Sequence, residues 1–540
     1  MSIDLSLERI CKLLNHLPVP YTRPTVHVAG TNGKGSVCAL VSSILSSATP
    51  PLVVGRFNSP HLLSPLDGIS VGGKPIDKDT FMEARGEVRR INDENAFGAS
   101  MFELYACFAL LIFERRKVDV VVLEVGMGGR LDATNVVPDE CILVSALTSV
   151  ALDHQAILGN TIEAITREKA AIARPEKPFV VAPQVHPQVV EVAKSVVESL
   201  GGELVASCTV STVEWDTNLD GPLPPTQGIQ VPLFQPVHIF QAGHRDPIRA
   251  LLPLQGEHQI DNLRTAMAII SALQTHSSCD RPGINFAQRL SPDAISRGIR
   301  ATRWPGRLSY HTISLPTAVS VSGTPNTSTP QGPADTPILV LADGAHNPAA
   351  ATAVGAYISS VLEKTGSRPL ALTYILALSH SPPKTPEQTL KPLLAVRDSL
   401  RLAGKREVRL GVALLPFTPP LNMPWIKFVP PADMRPVVES LVSRSSCGSD
   451  SDSGSGASAE MEVEVLESSS DFSGLETVVA PTHAEPPRTE HVEEALRWAA
   501  GRRREGEDAF VVLSGSLYLV ADFYRLLEKL GQAREIWGAN

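Results

Sequence analysis

Several features are scarce in this sequence of 540 residues, and each shortage excludes a class of protein. Lysine and arginine number 48 against 57 acidic residues, so a formal net charge of -9 leaves no basic surface for a nucleic-acid backbone. No stretch of about 18 apolar residues marks a membrane span. The N-terminal stretch lacks a long apolar region and carries early acidic residues, so no targeting segment is predicted. We therefore expect neither a nucleic-acid nor a membrane partner.

The spacing of the cysteines argues against two kinds of site, a C-x-x-C pair and a zinc site. The seven cysteines are scattered, with no C-x-x-C pair and no histidine cluster at zinc spacing. Reduced thiols in a cytoplasmic protein are expected, and we predict a monomer.

Apolar content of 43% with 19% charged residues is typical of globular proteins. At ~150 residues per domain the chain is too long for one core, and two large domains fit best.

Apolar runs alternate with helical patterns along the chain, which predicts an α/β fold with doubly wound parallel sheets. The predicted strands are VDVVVLEVG (118–126), ILVSAL (142–147), PFVVA (178–182), PILVLAD (337–343), LTYILAL (372–378) and FVVLSGS (510–516). Helical patterns follow at 161–172, 348–362 and 517–530.

Composition also suggests where the chain divides. Pro/Gly/Ser/Thr-rich stretches at 216–236 and 314–337 are predicted to be loops or insertions. The acidic, serine-rich stretch 445–474 has few bulky apolar residues and is predicted to be disordered. The predicted organisation is a domain at 1–300, a linker at 301–307 (ATRWPGR) and a domain at 308–540.

The stretch HVAGTNGKGSVCALVSSIL runs from a β-branched strand through a glycine-rich turn into a helical pattern. Its glycines allow backbone N–H groups to approach an anion, and the helix N-terminus adds its positive dipole end. Lys34 supplies a full charge, and Ser36 stands where P-loop proteins place a metal-binding hydroxyl. Gly35, between them, departs from the common motif. The predicted phosphate-binding residues are Gly30, Thr31, Asn32, Gly33, Lys34, Gly35 and Ser36.

Polar residues at predicted strand ends are the other candidates, each with an alternative interpretation. Glu124 is either a metal ligand or a solvent-facing charge, and His154 is either a ligand or an ordinary core or surface residue. Asp343, His346 and Asn347, in LADGAHNPAA, suit ligand binding or an Asx turn with a helix cap. Arg307, in WPGR, ends a tight turn.

A series of motifs resembles one family in content and in order, over about residues 6 to 530. The motifs are GTNGKGS (30–36), NSPH (58–61), EVGMGGRLDATN (124–135), TSVALDH (148–154), REKAAI (167–172), GEHQIDN (256–262), WPGR (304–307), DGAHNP (343–348) and GSLYLV (515–520). The chain resembles the folylpolyglutamate synthase and dihydrofolate synthase family.

The resemblance implies a fold like that of Mur ligases, with an N-terminal P-loop domain, a smaller C-terminal α/β domain and ATP in the cleft between them. The residue roles that it implies are phosphate binding by Lys34, Mg²⁺ binding by Ser59, Glu124 and His154, carbamylation of Lys169, nucleotide binding by Asn262, Arg307 and Asp343, pterin-side contacts by Phe102 and Glu103, and glutamate-side contact by His346.

The implied activity is ATP-dependent joining of L-glutamate to dihydropteroate through an acyl phosphate. Eukaryotic folylpolyglutamate synthases usually resemble GTKGKGS in the loop, whereas this chain has Asn32, and the stretch 62–76 (LLSPLDGISVGGKPI) lacks the arginines that they tend to carry there. The alternatives are a folylpolyglutamate synthase or a bifunctional enzyme, a P-loop kinase or ATPase, and a nucleotide-binding scaffold without turnover.

Overall fold

The computed structural model describes residues 6–222, 229, 231, 233–241, 246–315, 337–402, 406–420, 426–444, 465–466 and 488–532. The chain divides into two compact units, Met1–Leu223 with Leu233–Trp304, and Pro224–Pro232 with Pro305–Asn540. The division after Trp304 falls within the range 301–307. Of the stretch 445–474, the described residues are Val465–Leu466, and the remainder lies outside the described part of the chain, as does most of 314–337.

An eight-stranded sheet forms the centre of the first unit, in the order β4-β3-β2-β5-β1-β6-β7-β8. Its strands are β1 (Thr25–Ala29), β2 (Val54–Phe57), β3 (Ile69–Val71), β4 (Lys74–Pro75), β5 (Val120–Glu124), β6 (Ile142–Leu147), β7 (Pro178–Val181) and β8 (Glu203–Val205). The strands from β2 to β8 in this order pair in parallel, and β3 and β4 add an antiparallel edge. All residues of β1 are buried, as expected for a central parallel strand.

The first unit also contains a three-stranded antiparallel sheet that the sequence patterns did not predict. It consists of β9 (Thr209–Thr212), β10 (Gln235–Phe240) and β11 (Ile248–Leu252), in the order β11-β10-β9. Only one residue of TVST in β9 is buried, so this strand carries little apolar signal. β10 begins within the stretch 216–236 that composition assigned to a loop.

Ten α-helices belong to the described part of the first unit. They are α1 (Glu8–Asn15), α2 (Lys34–Ser46), α3 (Lys78–Glu94), α4 (Met101–Arg115), α5 (Gln155–Leu158), α6 (Ile162–Ala170), α7 (Gln188–Ser199), α8 (Glu257–Thr275), α9 (Phe286–Arg289) and α10 (Pro292–Ala301). Val37, Val41 and Ile44 of α2 pack with Val28 of β1 and Leu263 of α8 in one buried core. This packing holds the start of α2 at the C-terminal edge of the parallel sheet.

A six-stranded sheet forms the second unit, in the order β12-β13-β17-β14-β15-β16. Its strands are β12 (Ser309–Ile313), β13 (Ile338–Ala342), β14 (Leu370–Leu376), β15 (Val408–Leu414), β16 (Val465–Leu466) and β17 (Asp508–Ser514). Its helices are α11 (Pro348–Lys364), α12 (Pro386–Leu394), α13 (Val396–Leu402), α14 (Pro431–Arg444), α15 (Thr489–Gly501) and α16 (Leu517–Lys529). Apart from the antiparallel pair β12 and β13, the strands pair in parallel.

Both units therefore have the predicted α/β architecture with parallel sheets. Among the helices that the structure describes, none is long and apolar enough to cross a membrane.

Candidate functional site

The turn after β1 depends on two glycines whose backbone conformations disfavour a side chain. Gly30 and Gly33 have φ values of +148° and +93°. A Cβ on Gly30 would collide with the Thr148 side chain, and one on Gly33 would collide with Oδ1 of Asn262. Both positions accept only glycine without a shift of these neighbours, so neither carries a side chain that would keep a ligand from the backbone.

Hydrogen bonds to the segment after β6 hold this turn in place. The backbone N–H groups of Thr31 and Asn32 both donate to the Ser149 carbonyl, at 2.8 and 3.2 Å. The Thr31 hydroxyl donates to the Ala151 carbonyl at 3.2 Å and accepts from the Ala151 N–H at 3.1 Å. These hydrogen bonds therefore hold the loop in one conformation.

An aromatic side chain covers the first turn of α2. A Cβ on Gly35 would collide with the indole ring of Trp304, the last residue of the first unit. The guanidinium carbon of Arg56 lies 5.0 Å from the centroid of the same ring. Trp304 thus contacts both the first turn of α2 and a residue of β2.

Two lysine side chains converge on one carbonyl of the loop. Nζ of Lys34 donates to the Gly30 carbonyl at 3.2 Å, and Nζ of Lys169, from α6, donates to the same oxygen at 2.9 Å. Lys169 is buried, and burial together with the Lys34 charge lowers its pKa to about 7, against an opposing effect of Asp153 and Asp132. A neutral amine is therefore abundant at Lys169 near neutral pH.

Glu124 brings a buried carboxylate to the same place. It ends β5, its Oε1 lies 3.9 Å from Nζ of Lys34, and its Oε2 accepts from Nδ2 of Asn58 at 2.6 Å. Oδ1 of Asn58 is buried and has no hydrogen-bond partner among the described residues. These features match the metal-ligand interpretation of Glu124 and differ from a solvent-facing charge.

The donors around Glu124 suit a hard cation that is held largely by phosphates and water. The described residues contain no group of three or more His, Cys, Asp or Glu side chains that could bind a metal by themselves. Mg²⁺ does not require such a group, since it usually binds to one or two carboxylates together with substrate phosphates and waters. The buried carboxylate of Glu124, the unpartnered Asn58 oxygen and the neighbouring Ser59 hydroxyl all offer oxygen, so the residues present fit this ion.

His154 lies on the segment that supports the loop. It is exposed, has a positive φ of 50°, and donates its backbone N–H to Oδ1 of the buried Asp153 at 3.0 Å. Its metal-binding role stays a prediction.

Other predicted residues of the first unit have mainly structural partners. Nδ2 of Asn262 donates to Oε1 of Gln259 at 2.8 Å, beside Gly33. The carboxylate of Glu103 accepts from the Ser100 N–H at 2.6 Å in a capping box and pairs with Arg9 at 3.3 Å. Phe102 is half-buried, and its ring lies where a Cβ on Gly126 would be. Their ligand contacts stay predictions.

Asp343 joins two turns in the second unit. Its two carboxylate oxygens accept from the backbone N–H groups of Leu308 and Ala345, both at 2.8 Å. Burial raises the pKa of Asp343, against an opposing effect of Arg307. Nη1 of Arg307 lies 2.8 Å from the position of a Cβ on Gly344. The structure thus brings the WPGR and DGAHNP turns together, and Asp343 helps to shape both.

His346 lies beside this pair of turns. It is exposed, its Nδ1 is 3.0 Å from the Gly344 carbonyl, and its own carbonyl accepts from Nζ of Lys384 at 3.5 Å. Asn347 caps α11, because its side chain accepts from the Ala350 N–H at 2.9 Å. The cap interpretation therefore holds for Asn347, whereas His346 remains accessible.

Two site residues were absent from the sequence-based candidates. Asn58 bonds to Glu124, and the Thr148 hydroxyl is buried beside Gly30 with no partner among the described residues. Each is the first residue of a motif in the series, NSPH or TSVALDH, so the motifs contained a signal for both.

Comparison of the sequence with known proteins assigns the chain to a family. The chain is 33% identical over 437 residues to dihydrofolate synthetase of Saccharomyces cerevisiae, covering 81% of this chain and 86% of that protein. The chain belongs to the folylpolyglutamate synthase and dihydrofolate synthase family. The expected family is therefore confirmed.

Two further similarities extend over nearly the whole length of this family member. A probable dihydrofolate synthetase of Schizosaccharomyces pombe is 27% identical, over 98% of this chain and 99% of that protein. The solved structure of Mycobacterium tuberculosis folylpolyglutamate synthase, complexed with ADP and AMPPCP, has a TM-score of 0.66 at 24% identity and covers 99% of this chain and 96% of its own. The profile of the dihydrofolate synthetase C-terminal domain matches residues 329–526.

Proposed function

We propose that this protein is an ATP-dependent ligase that joins L-glutamate to dihydropteroate and forms dihydrofolate. The observation that carries the ligase assignment is the convergence of Lys34 and Lys169 on the Gly30 carbonyl, next to the buried Glu124. Cations, backbone N–H groups and a carboxylate at the end of a parallel strand are the groups that bind and polarise nucleotide phosphates. The 33% identity to the Saccharomyces cerevisiae dihydrofolate synthetase supports the choice of substrate.

The reaction is proposed to run in two transfers. A carboxylate oxygen of dihydropteroate attacks the γ-phosphorus of ATP, and the bond from that phosphorus to the ADP oxygen breaks. The amine of glutamate then attacks the acyl carbon, phosphate leaves with the bonding electron pair, and the nitrogen loses a proton. Lys34 and the N–H groups in the first turn of α2 stabilise charge on the moving phosphoryl group without forming a covalent bond to it, since the Thr31 and Asn32 N–H groups already donate to the Ser149 carbonyl.

The remaining roles are proposed residue by residue. Glu124, Ser59 and His154 would hold Mg²⁺, which neutralises phosphate charge when bound, and Lys169 would carry a carbamate. Asn262, Arg307 and Asp343 are assigned to the nucleotide, Phe102 and Glu103 to the pterin side, and His346 to glutamate. A cytoplasmic monomer stays a prediction.

One assay separates the activities. The purified protein is incubated with ATP, Mg²⁺ and L-glutamate, with either dihydropteroate or tetrahydrofolate, and the products are followed by mass, with Lys34→Ala as the control. We expect one glutamate to be added to dihydropteroate. Several glutamates on tetrahydrofolate with dihydropteroate unused would indicate a folylpolyglutamate synthase, and use of both a bifunctional enzyme. ATP turnover without an amide, or no turnover, would refute the ligase assignment.

A further inference from the structure

Arg56 occupies a position in the site that the proposed roles leave unused. It lies one residue before the end of β2. Val54, two residues earlier, belongs to the core that α2 forms with the sheet, and strand alternation places Arg56 on the same face. Its guanidinium lies over the Trp304 ring, which also contacts Gly35 in the first turn of α2. Arg56 is therefore beside the phosphate loop.

The guanidinium has donors available. It makes no hydrogen bond and no ion pair with any residue that the structure describes, although an arginine carries five N–H donors. The side chain is half-buried, and burial lowers its pKa, against an opposing effect of Cys38, Glu124 and Asp67. A partly buried charge without a hydrogen-bonded partner is unfavourable, so an anionic ligand would be stabilised here.

The order of the strands suggests which anion this is. Three neighbouring strands lie in the sheet in the order β1, β5, β2. The phosphate loop follows β1, β5 ends at Glu124, and β2 carries Arg56. Arg56 therefore comes next after the phosphates and the proposed metal carboxylate, on the side away from β6. In phosphoryl transfer the acceptor lies in line beyond the γ-phosphate. The acceptor in the proposed reaction is a carboxylate, which the planar guanidinium binds in a bidentate manner.

The segment that follows Arg56 offers few other cations, since Lys74 of the edge strand β4 is exposed. Residues 62–70, LLSPLDGIS, contain neither lysine nor arginine. The carboxylate of Asp67 in this segment accepts from the backbone N–H groups of Leu62, Leu63 and Ser64, at 2.6 to 2.8 Å, so it shapes the turn.

We infer that Arg56 binds the reacting carboxylate of the pterin substrate and the acyl phosphate formed from it. This inference rests on the proposed function. Arg56 donates hydrogen bonds from its N–H groups to carboxylate and phosphoryl oxygens and keeps its protons throughout. It leaves the attacking oxygen free to form the bond to phosphorus while the bond to ADP breaks.

The test compares substrate affinities in Arg56→Gln. The control is Arg90→Gln, which removes an exposed arginine of α3 that pairs with Glu94. Dissociation constants of dihydropteroate and of ADP are measured separately, each in the absence of the other. We expect Arg56→Gln to weaken dihydropteroate binding about 30-fold and to leave ADP binding unchanged, whereas Arg90→Gln changes neither. Guanidinium chloride at low concentration should restore part of the lost affinity in Arg56→Ala.

Two results with Arg56→Gln would overturn the inference. One is unchanged dihydropteroate binding in folded Arg56→Gln. The other is an equal loss of dihydropteroate and ADP binding, which would assign Arg56 the structural task of holding Trp304. If Arg56→Gln does not fold, Arg56→Lys retains a charge at the Trp304 ring, and wild-type dihydropteroate binding there would also refute bidentate recognition. If the wild-type protein uses only reduced folate, the proposed function fails, and the same comparison with that substrate still decides the role of Arg56.

Discussion

Lys169 leads to a testable dependence on dissolved carbon dioxide. Its ammonium group is buried, lies close to the Lys34 charge and donates to the Gly30 carbonyl at 2.9 Å. These surroundings lower its pKa from 10.5 to about 7. Only the neutral amine attacks CO₂, forming an N–C bond and releasing a proton. The site therefore favours carbamate formation at a pH where an exposed lysine is almost fully protonated.

The size of the effect follows from the two pKa values. At pH 7.5 an ordinary lysine is neutral in about one molecule in a thousand, whereas a lysine with a pKa near 7 is neutral in roughly three quarters. The reactive fraction thus rises on the order of 700-fold. Because the lowered pKa belongs to a base, the neutral amine is present above pH 7 and is lost as the pH falls through 7.

The assay measures ligation in degassed, bicarbonate-free buffer and again after bicarbonate is added, between pH 6 and 8.5. We expect bicarbonate, added so that dissolved CO₂ is the same at each pH, to restore lost activity, with less recovery as the pH falls through about 7, and Lys169→Met to be inactive with and without it. A carbamate signal from ¹³C-bicarbonate should be present in the wild-type protein and absent from Lys169→Met. Full activity of Lys169→Met, or full wild-type activity without CO₂ and no labelled carbamate, would refute this reasoning.

Three further predictions concern the loop and the proposed metal ligands. Lys34→Ala should lower the ligation rate about 100- to 1000-fold with little change in the melting temperature, because its charge acts on phosphate; normal turnover in steady-state assays would contradict this. Glu124→Gln should raise the Mg²⁺ concentration that gives the half-maximal rate at least about tenfold. His154→Ala should raise that concentration less, because its side chain is exposed. An unchanged Mg²⁺ titration in both variants would remove these residues from the site. Gly30→Ala should lower the free energy of unfolding, measured with urea, by about 1–3 kcal/mol, because the added Cβ would collide with Thr148 and φ at this position is positive. Equal stability of the variant would show that the loop rearranges.

Much of the sheet architecture was predictable because buried parallel strands are continuous apolar runs. The predicted strand 142–147 coincides with β6, and the helical pattern that begins at 348 is α11 (Pro348–Lys364). β9 was missed because three of its four residues are exposed, and β10 because it begins with Gln235 and Pro236, in a stretch whose composition is typical of loops. Their pairing depends on partners distant in the sequence, which local patterns do not report.

The site was predictable in its motifs and less so in its contacts. Glycine spacing and Lys34 predicted a phosphate-binding loop, and the structure brings Lys34, Lys169 and Glu124 together there. The capping role of Glu103 follows from Ser100 three residues earlier, a signal that is local and was available. In contrast, the contact between Arg56 and Trp304 joins residues far apart in the sequence. Neither residue is unusual in its own segment, so this pair is visible only in the folded chain.

The contact between Trp304 and Gly35 makes two distant motifs interdependent. A glycine inside a helix costs about 1 kcal/mol relative to alanine, and Gly35 sits in the first turn of α2. The indole ring occupies the space that a side chain at this position would need. Gly35, the extra glycine that distinguishes this loop from the common P-loop motif, is therefore required by the position of Trp304, which lies near the other end of the first unit. Family members with a small residue in place of Trp304 should accept alanine or serine after the loop lysine, so the two positions should change together across the family.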